Sequence, residues 1–191
     1  MALPLSRRGL RLVALVTMIV VAPTVTLGQV IADEYQIKAA FLLNFARFVE
    51  WPPAALGSPG TPLVIGIIGD DPFGEALRQG IYQQSVDGHP LEVRHLRWTD
   101  SFDCCRLLFI AASEVSHTGE ILKAVSGAGR LTVADFDSFA RRGGMIEFRT
   151  INHRVRFDVN TVVASGSGVR ISSKLLTLAA HVYTQATEAL R

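Results

Sequence analysis

The apolar residues of this chain fall in blocks whose spacing changes from one block to the next. Between Glu34 and Val49 they run almost all the way round a 3.6-residue period: Tyr35, Ile37, Phe41, Leu42, Leu43, Phe45, Ala46, Phe48 and Val49. This predicts a helix over 34–49, free of Gly and Pro and stopped at Trp51-Pro52-Pro53. A helix with so narrow a polar face is covered on most sides. Phe41, Phe45 and Phe48 stand at i, i+4 and i+7 and form one stripe. Core packing is the commoner role for such a stripe, and a dimer or partner surface is the alternative. In the second role Lys38 and Arg47 make its polar rim.

The spacing then shortens. Leu63 to Ile68 is an unbroken apolar run of strand length, which suits a central strand covered on both faces. Asp71 before Pro72 is a cap and first-turn pair that opens a short helix to about Gln79. Strands are predicted over 91–98, 106–110 and 131–133. Between them Ser113 caps a helix over 114–125, and Asp135 introduces a short helix over 136–141. Residues 145–149 and 154–159 alternate, which predicts an antiparallel hairpin turning near Asn152-His153. Ile146, Phe148, Val155, Phe157 and Val159 face inward, while Glu147, Arg149, Arg154, Arg156 and Asp158 face out. One helical turn is expected over 160–164. A closing helix is expected from Ser172 or Ser173 to about Ala189, burying Leu175, Leu176, Leu178, Ala179 and Val182. The order predicts a single α/β domain: a mixed, mainly parallel sheet flanked by helices, a Rossmann-like sandwich, with an antiparallel hairpin toward the C-terminus.

The N-terminus changes the reading of the composition. Arg7, Arg8 and Arg11 precede an apolar run from Leu12 to Ala22, which Pro23 ends. The run falls short of the roughly 18 residues of a membrane-spanning helix. It matches a secretory signal peptide over residues 1–32, cut after Gly28 or Ala32, with the folded domain over 33–191. No cysteine lies near either position, which excludes a lipid-anchored N-terminal cysteine. The leader takes three arginines and no acid with it, so the formal charge of +2 becomes −1. What remains is enough for one core and has no basic footprint for nucleic acid.

Candidate chemistry is sparse. Ser165-Gly166-Ser167-Gly168 is not a nucleophile elbow, and the Gly127/Gly129 pair follows a helix instead of opening one. The five histidines lack metal-ligand spacing. The two cysteines, Cys104 and Cys105, are neighbours, and their Cα atoms lie too close for an unstrained disulfide. Three states stay open for them: buried reduced thiols, a strained vicinal disulfide, or an intermolecular bridge. No catalytic set, cofactor site or metal site emerges, so a nonenzymatic role is expected.

Four blocks resemble one family. Residues 34–52 are similar to the opening helix of the YfiR-like periplasmic proteins, the DUF4154 family. Residues 64–74, 143–160 and 169–176 resemble further blocks of that family in the same order, and Cys104 with Leu108-Phe109-Ile110 resembles its middle strand. The resemblance implies a periplasmic regulatory protein that is not an enzyme. It implies repression of an inner-membrane diguanylate cyclase through the cyclase's periplasmic domain, which lowers cyclic di-GMP and so bears on biofilm. It also implies relief by an outer-membrane peptidoglycan-binding lipoprotein, and a homodimer. Some relatives carry extra cysteines at the hairpin. Here those positions hold residues such as Glu147, Asn152 and His153, so redox control can only pass through Cys104 and Cys105. The alternative is a small-ligand sensor acting with another membrane receptor. Its crevice would lie at the strand ends near Asp70, Asp71 and 111–113.

Overall fold

The computed structural model describes residues 27–185. Residues 1–26, which hold most of the expected leader, and residues 186–191 lie outside them. Helix α1 (Leu27–Phe48) is followed by β1 (Val49–Glu50), α2 (Pro53–Leu56), β2 (Leu63–Ile68), α3 (Glu75–Ile81), β3 (Ser85–Val86) and β4 (His89–Leu96). Then come β5 (Cys105–Ile110), a 3-10 segment over Ala112–His117, α4 (Thr118–Val125) and β6 (Leu131–Ala134). The chain closes with β7 (Ile146–Ile151), β8 (Arg154–Asn160), α5 (Thr161–Gly166), β9 (Arg170–Ile171), α6 (Ser173–Leu176) and β10 (His181–Tyr183).

Eight strands form one sheet in the order β10-β8-β7-β6-β5-β2-β4-β3. The run β4-β2-β5-β6-β7 is parallel, and β7 pairs antiparallel with β8. A separate two-stranded ladder joins β1 to β9. The mixed, mainly parallel α/β sandwich expected from the sequence is the observed fold. All six residues of β2 are buried because both faces of that strand are covered. On one face Ile65 and Ile67 join Phe109, Val133, Phe148 and Phe157 against α1 and α3. On the other, Ile68, Leu108 and Ile110 meet Ile121 and Val125 of α4.

Three expected elements differ. The closing helix is only the single turn α6, after which His181–Tyr183 pair in parallel with Asp158–Asn160 as a new edge strand. The cap at Ser172 is as expected, its hydroxyl accepting from Leu175 N. Leu178, however, is 57% exposed. A ladder along β8 satisfies the backbone of His181-Val182-Tyr183, and β-branched and aromatic residues favour strand there over local helix. Residues 136–141 form turns instead of a short helix. Asp135 does not cap them, because its carboxylate is taken by side chains of α1. Ser113 does not cap a helix either. Residues 112–117 are a 3-10 segment without a side-chain cap, and the Ser113 hydroxyl accepts from Asp70 N at 3.0 Å.

At the hairpin Arg149, Arg154 and Arg156 face solvent as expected, but Glu147 and Asp158, expected outside, are buried at 3% and 1% exposure, because Glu147 accepts from Ser138 N and Ala140 N and Asp158 takes Arg149. Asn152 and His153 both take positive φ, 50° and 58°, the conformation a two-residue turn demands of its centre. Helix α1 begins seven residues before the expected start, so both candidate cleavage positions, after Gly28 and after Ala32, fall inside its first turns.

Candidate functional site: the open flank of the first helix

Helix α1 lies on the sheet with one stripe inward and one flank open. Leu42, Phe45, Ala46 and Val49 are buried, and Phe45 has no exposed surface. Its ring stacks on Phe148 at 5.5 Å and meets Phe157 edge-on at 5.1 Å. Turned about one position round the helix, the stripe Ile37, Phe41, Asn44 and Phe48 is only partly covered. Ile37 is 48% exposed, and Phe41, Asn44 and Phe48 are half-buried. Ala40 and Arg47 are exposed beside it, and Arg47 Nη2 donates to Gln84 Oε1 at 2.6 Å.

The expected surface of Phe41, Phe45, Phe48, Lys38 and Arg47 therefore divides. Phe41, Phe48 and Arg47 lie on the open flank. Phe45 is core and is corrected to that role, because its ring is fully buried against Phe148 of β7 and Phe157 of β8. Lys38 is corrected too. It is 5% exposed, and its ammonium pairs with Glu34 at 2.7 Å and with Asp135 at 3.0 Å. Asp135 sits just after β6, where the adjacent Tyr35 hydroxyl donates to the same carboxylate oxygen at 2.7 Å. Burial, and then the Asp135 carboxylate, push the Tyr35 hydroxyl well above its usual range. The cluster ties α1 to the sheet. Ile37, part of the open flank, shows in the sequence only as one more apolar residue, because periodicity does not say which side of an almost fully apolar helix meets solvent.

The thiols are brought together. Cys104 is exposed and Cys105 buried, both are free, and their Sγ atoms lie 3.1 Å apart. A turn with Cys105 N donating to Phe102 O sets Cys104 beside the first residue of β5. Cys105 occupies space that exists because residue 66 is glycine: a Cβ there would stand 2.9 Å from its Sγ. Burial first, and then the contact with Cys104, push the Cys105 thiol up to about 12.

At the carboxyl ends of β2 and β5 the chain packs closely on itself at Gly69. Gly69, at φ 88°, packs where a Cβ would lie 2.4 Å from the Ser113 hydroxyl and 2.6 Å from Glu114. His95 Nε2 lies 2.8 Å from Asp71, whose carboxylate also accepts from Phe73 N and Gly74 N. Burial raises the Asp71 carboxyl, but these hydrogen bonds outweigh it and hold it below its usual range. Beyond them His117 stacks flat on Trp98, with ring centres 4.2 Å apart. Among the described residues no group of His, Cys, Asp and Glu is placed to hold a metal ion.

The model of the YfiR/HmsC-like family DUF4154 matches residues 35–180, an interval that takes in α1 from Tyr35 onward, every strand from β1 to β9 and α6. The chain belongs to this family. The family is periplasmic and regulatory, concerned with membrane diguanylate cyclases, and no helix among the described residues is long and apolar enough to cross a membrane. No curated protein matches the chain. Among solved structures, an ABC domain from Streptococcus pneumonia in complex with L-Trp is similar at a TM-score of 0.51 and 9% identity. That likeness covers 78% of this chain and 60% of that one and concerns the fold alone. A conserved domain protein from Vibrio cholerae is similar at a TM-score of 0.48 and 12% identity, over 62% of this chain and 54% of that one. The chain thus spans little more than half the length of the solved structures it matches.

Proposed function

We propose that this family member is an exported repressor that holds the periplasmic domain of an inner-membrane diguanylate cyclase inactive and so lowers cyclic di-GMP. It acts by binding, with no catalytic step of its own. The observation that carries the reading is the open flank of α1, where Ile37 is 48% exposed beside half-buried Phe41 and Phe48 on the same helix that anchors the core. An apolar strip on a rigid element suits a protein interface better than a ligand cavity. The same strip serves a second copy of the chain in a homodimer. An outer-membrane lipoprotein that binds peptidoglycan relieves repression by sequestering the regulator.

Export uses the leader over residues 1–32, leaving the domain from 33. A cut after Ala32 sets Asp33 and Glu34 in the first turn of the shortened helix, where acidic side chains favour the helix dipole.

The test is a pull-down of the tagged protein from detergent-solubilised membranes of its own host, with partners identified by mass spectrometry. Capture of a membrane diguanylate cyclase by the parent and its loss with Ile37→Glu is the expected result. Capture of a different receptor keeps the binding role and moves the pathway. Capture of nothing beyond the control by a folded bait contradicts the reading.

A further inference from the structure

The outer face of the β7–β8 hairpin carries charges that the chain does not neutralise. In the register of the pair Glu147 stands opposite Asp158, Arg149 opposite Arg156, and Ile151 opposite Arg154. Directly opposed like charges work against a sheet. The acidic rung is accounted for. Glu147 accepts from Ser138 N at 3.1 Å and from Ala140 N at 3.0 Å, and Asp158 takes Arg149 Nη1 at 3.2 Å. Of the arginine rung only Arg149 is paired in this way. The Arg154 and Arg156 side chains are exposed and have no hydrogen bond or ion pair with any described residue. Ile151, 41% exposed, lies among them. Beside the rung opens a cleft of about 550 Å³ with Arg141, Arg149, Ile151 and Asp158 on its walls.

We propose that this face docks an acidic, extended segment of a partner protein, with Arg149, Arg154 and Arg156 pairing its carboxylates and Ile151 meeting an apolar residue between them. Four observations favour a protein segment over a lipid surface or a polyphosphate. Every cation here is arginine, whose fork matches a carboxylate through two parallel bonds. Arg154 and Arg156 are two residues apart on one strand, about 7 Å, which is the repeat of alternate side chains in an extended partner. Asp158 lines that cleft, and Asp137 and Glu147 line a second hollow that shares Arg141 and Arg149 with it, so a continuous phosphate surface would bring negative charge against carboxylates. The chain beyond its leader has a net charge of −1, and no overall basic field draws polyanions. The inference is independent of the reading given to the α1 flank and holds whichever protein supplies the segment.

The test uses the purified protein and a fluorescein-labelled peptide of alternating Glu and Val, read by fluorescence anisotropy at low and moderate salt. The same peptide with Gln for Glu and vesicles of phosphatidylglycerol serve as comparisons. Expected are binding of the Glu peptide alone, weakening with salt, and a loss of tenfold or more on combining Arg154→Ser with Arg156→Ser. The melting temperature of the double variant should match or exceed the parent's, since a repulsive rung has been relieved. Equal binding of the Gln peptide, no binding of the Glu peptide, or binding that ignores the substitutions overturns the proposal. Vesicle binding that depends on these arginines while the peptide does not bind assigns the face to lipid. A lower melting temperature in the variant shows that the arginines serve the fold.

Discussion

Removing the Lys38 ammonium leaves the Asp135 carboxylate buried with the Tyr35 hydroxyl as its remaining side-chain partner. An uncompensated buried charge is costly, so Lys38→Met should destabilise the protein by about 3–5 kcal/mol in urea denaturation. Replacing Asp135 with Leu in the same chain should restore most of that loss. A single substitution costing less than about 1 kcal/mol would mean that water reaches the carboxylate. The thiols make a second residue-level case. Cys104 is exposed, whereas Cys105 is buried with its thiol raised to about 12. Iodoacetamide at pH 8 should therefore modify Cys104 and spare Cys105 until denaturant is added, giving one added group by mass spectrometry. Equal labelling of both in the native protein would contradict the burial. Two partly buried carboxyls contribute to the acid limb. Burial raises both Asp71 and Glu34, but His95 and two backbone N–H groups at the first, and Lys38 at the second, hold them below their usual values. A folded pKa below the unfolded one contributes stability above the ordinary carboxylate range, lost as pH falls through the folded value. Asp71→Asn should then lower stability at pH 7 by about 1 kcal/mol and flatten the decline toward pH 3. An unchanged acid limb would show that Asp71 gains nothing from these bonds.

Helix α1 separates the two meanings of an aromatic stripe. Phe45→Ala should cost about 3–5 kcal/mol, as expected for a fully buried aromatic ring. Ile37→Glu should stay within about 0.5 kcal/mol of the parent while weakening self-association, read by sedentation-velocity ultracentrifugation and thermal melts together. Loss of fold in Ile37→Glu would make the flank core. The existence of α1 is plain from its apolar period, but its phase is not, since nearly every position is apolar. Lys38 reads as a polar rim for a related reason: its partner Asp135 is 97 residues away, and no local pattern links them. The unbroken runs in β2 and β5 are legible because burial on two faces leaves its own period, whereas the apolar/polar alternation of β7 and β8 locates the hairpin without showing that Glu147 and Asp158, at its sheet end, are buried. The last strand was not. Residues 173–183 have enough helix formers to continue α6, and only the free edge of β8 draws His181–Tyr183 into the sheet. The alternation of the hairpin puts its arginines outside, but their mutual opposition is a property of register, which the turn geometry sets.

At the scale of the whole molecule, the sheet separates two unlike surfaces. The rings of α1 rest on Phe148 and Phe157 of one face, while Arg149 and Arg156 stand on the other face of the same two strands. A partner on one need not displace a partner on the other. The measurement that tests the account most directly is the cyclic di-GMP content of the host with the gene deleted and then restored. The account predicts a rise on deletion, a return to the parental level with the wild-type gene, and no return with an exported, folded Ile37→Glu protein. A level unmoved by deletion, with the protein shown to be present in the parent, would contradict it.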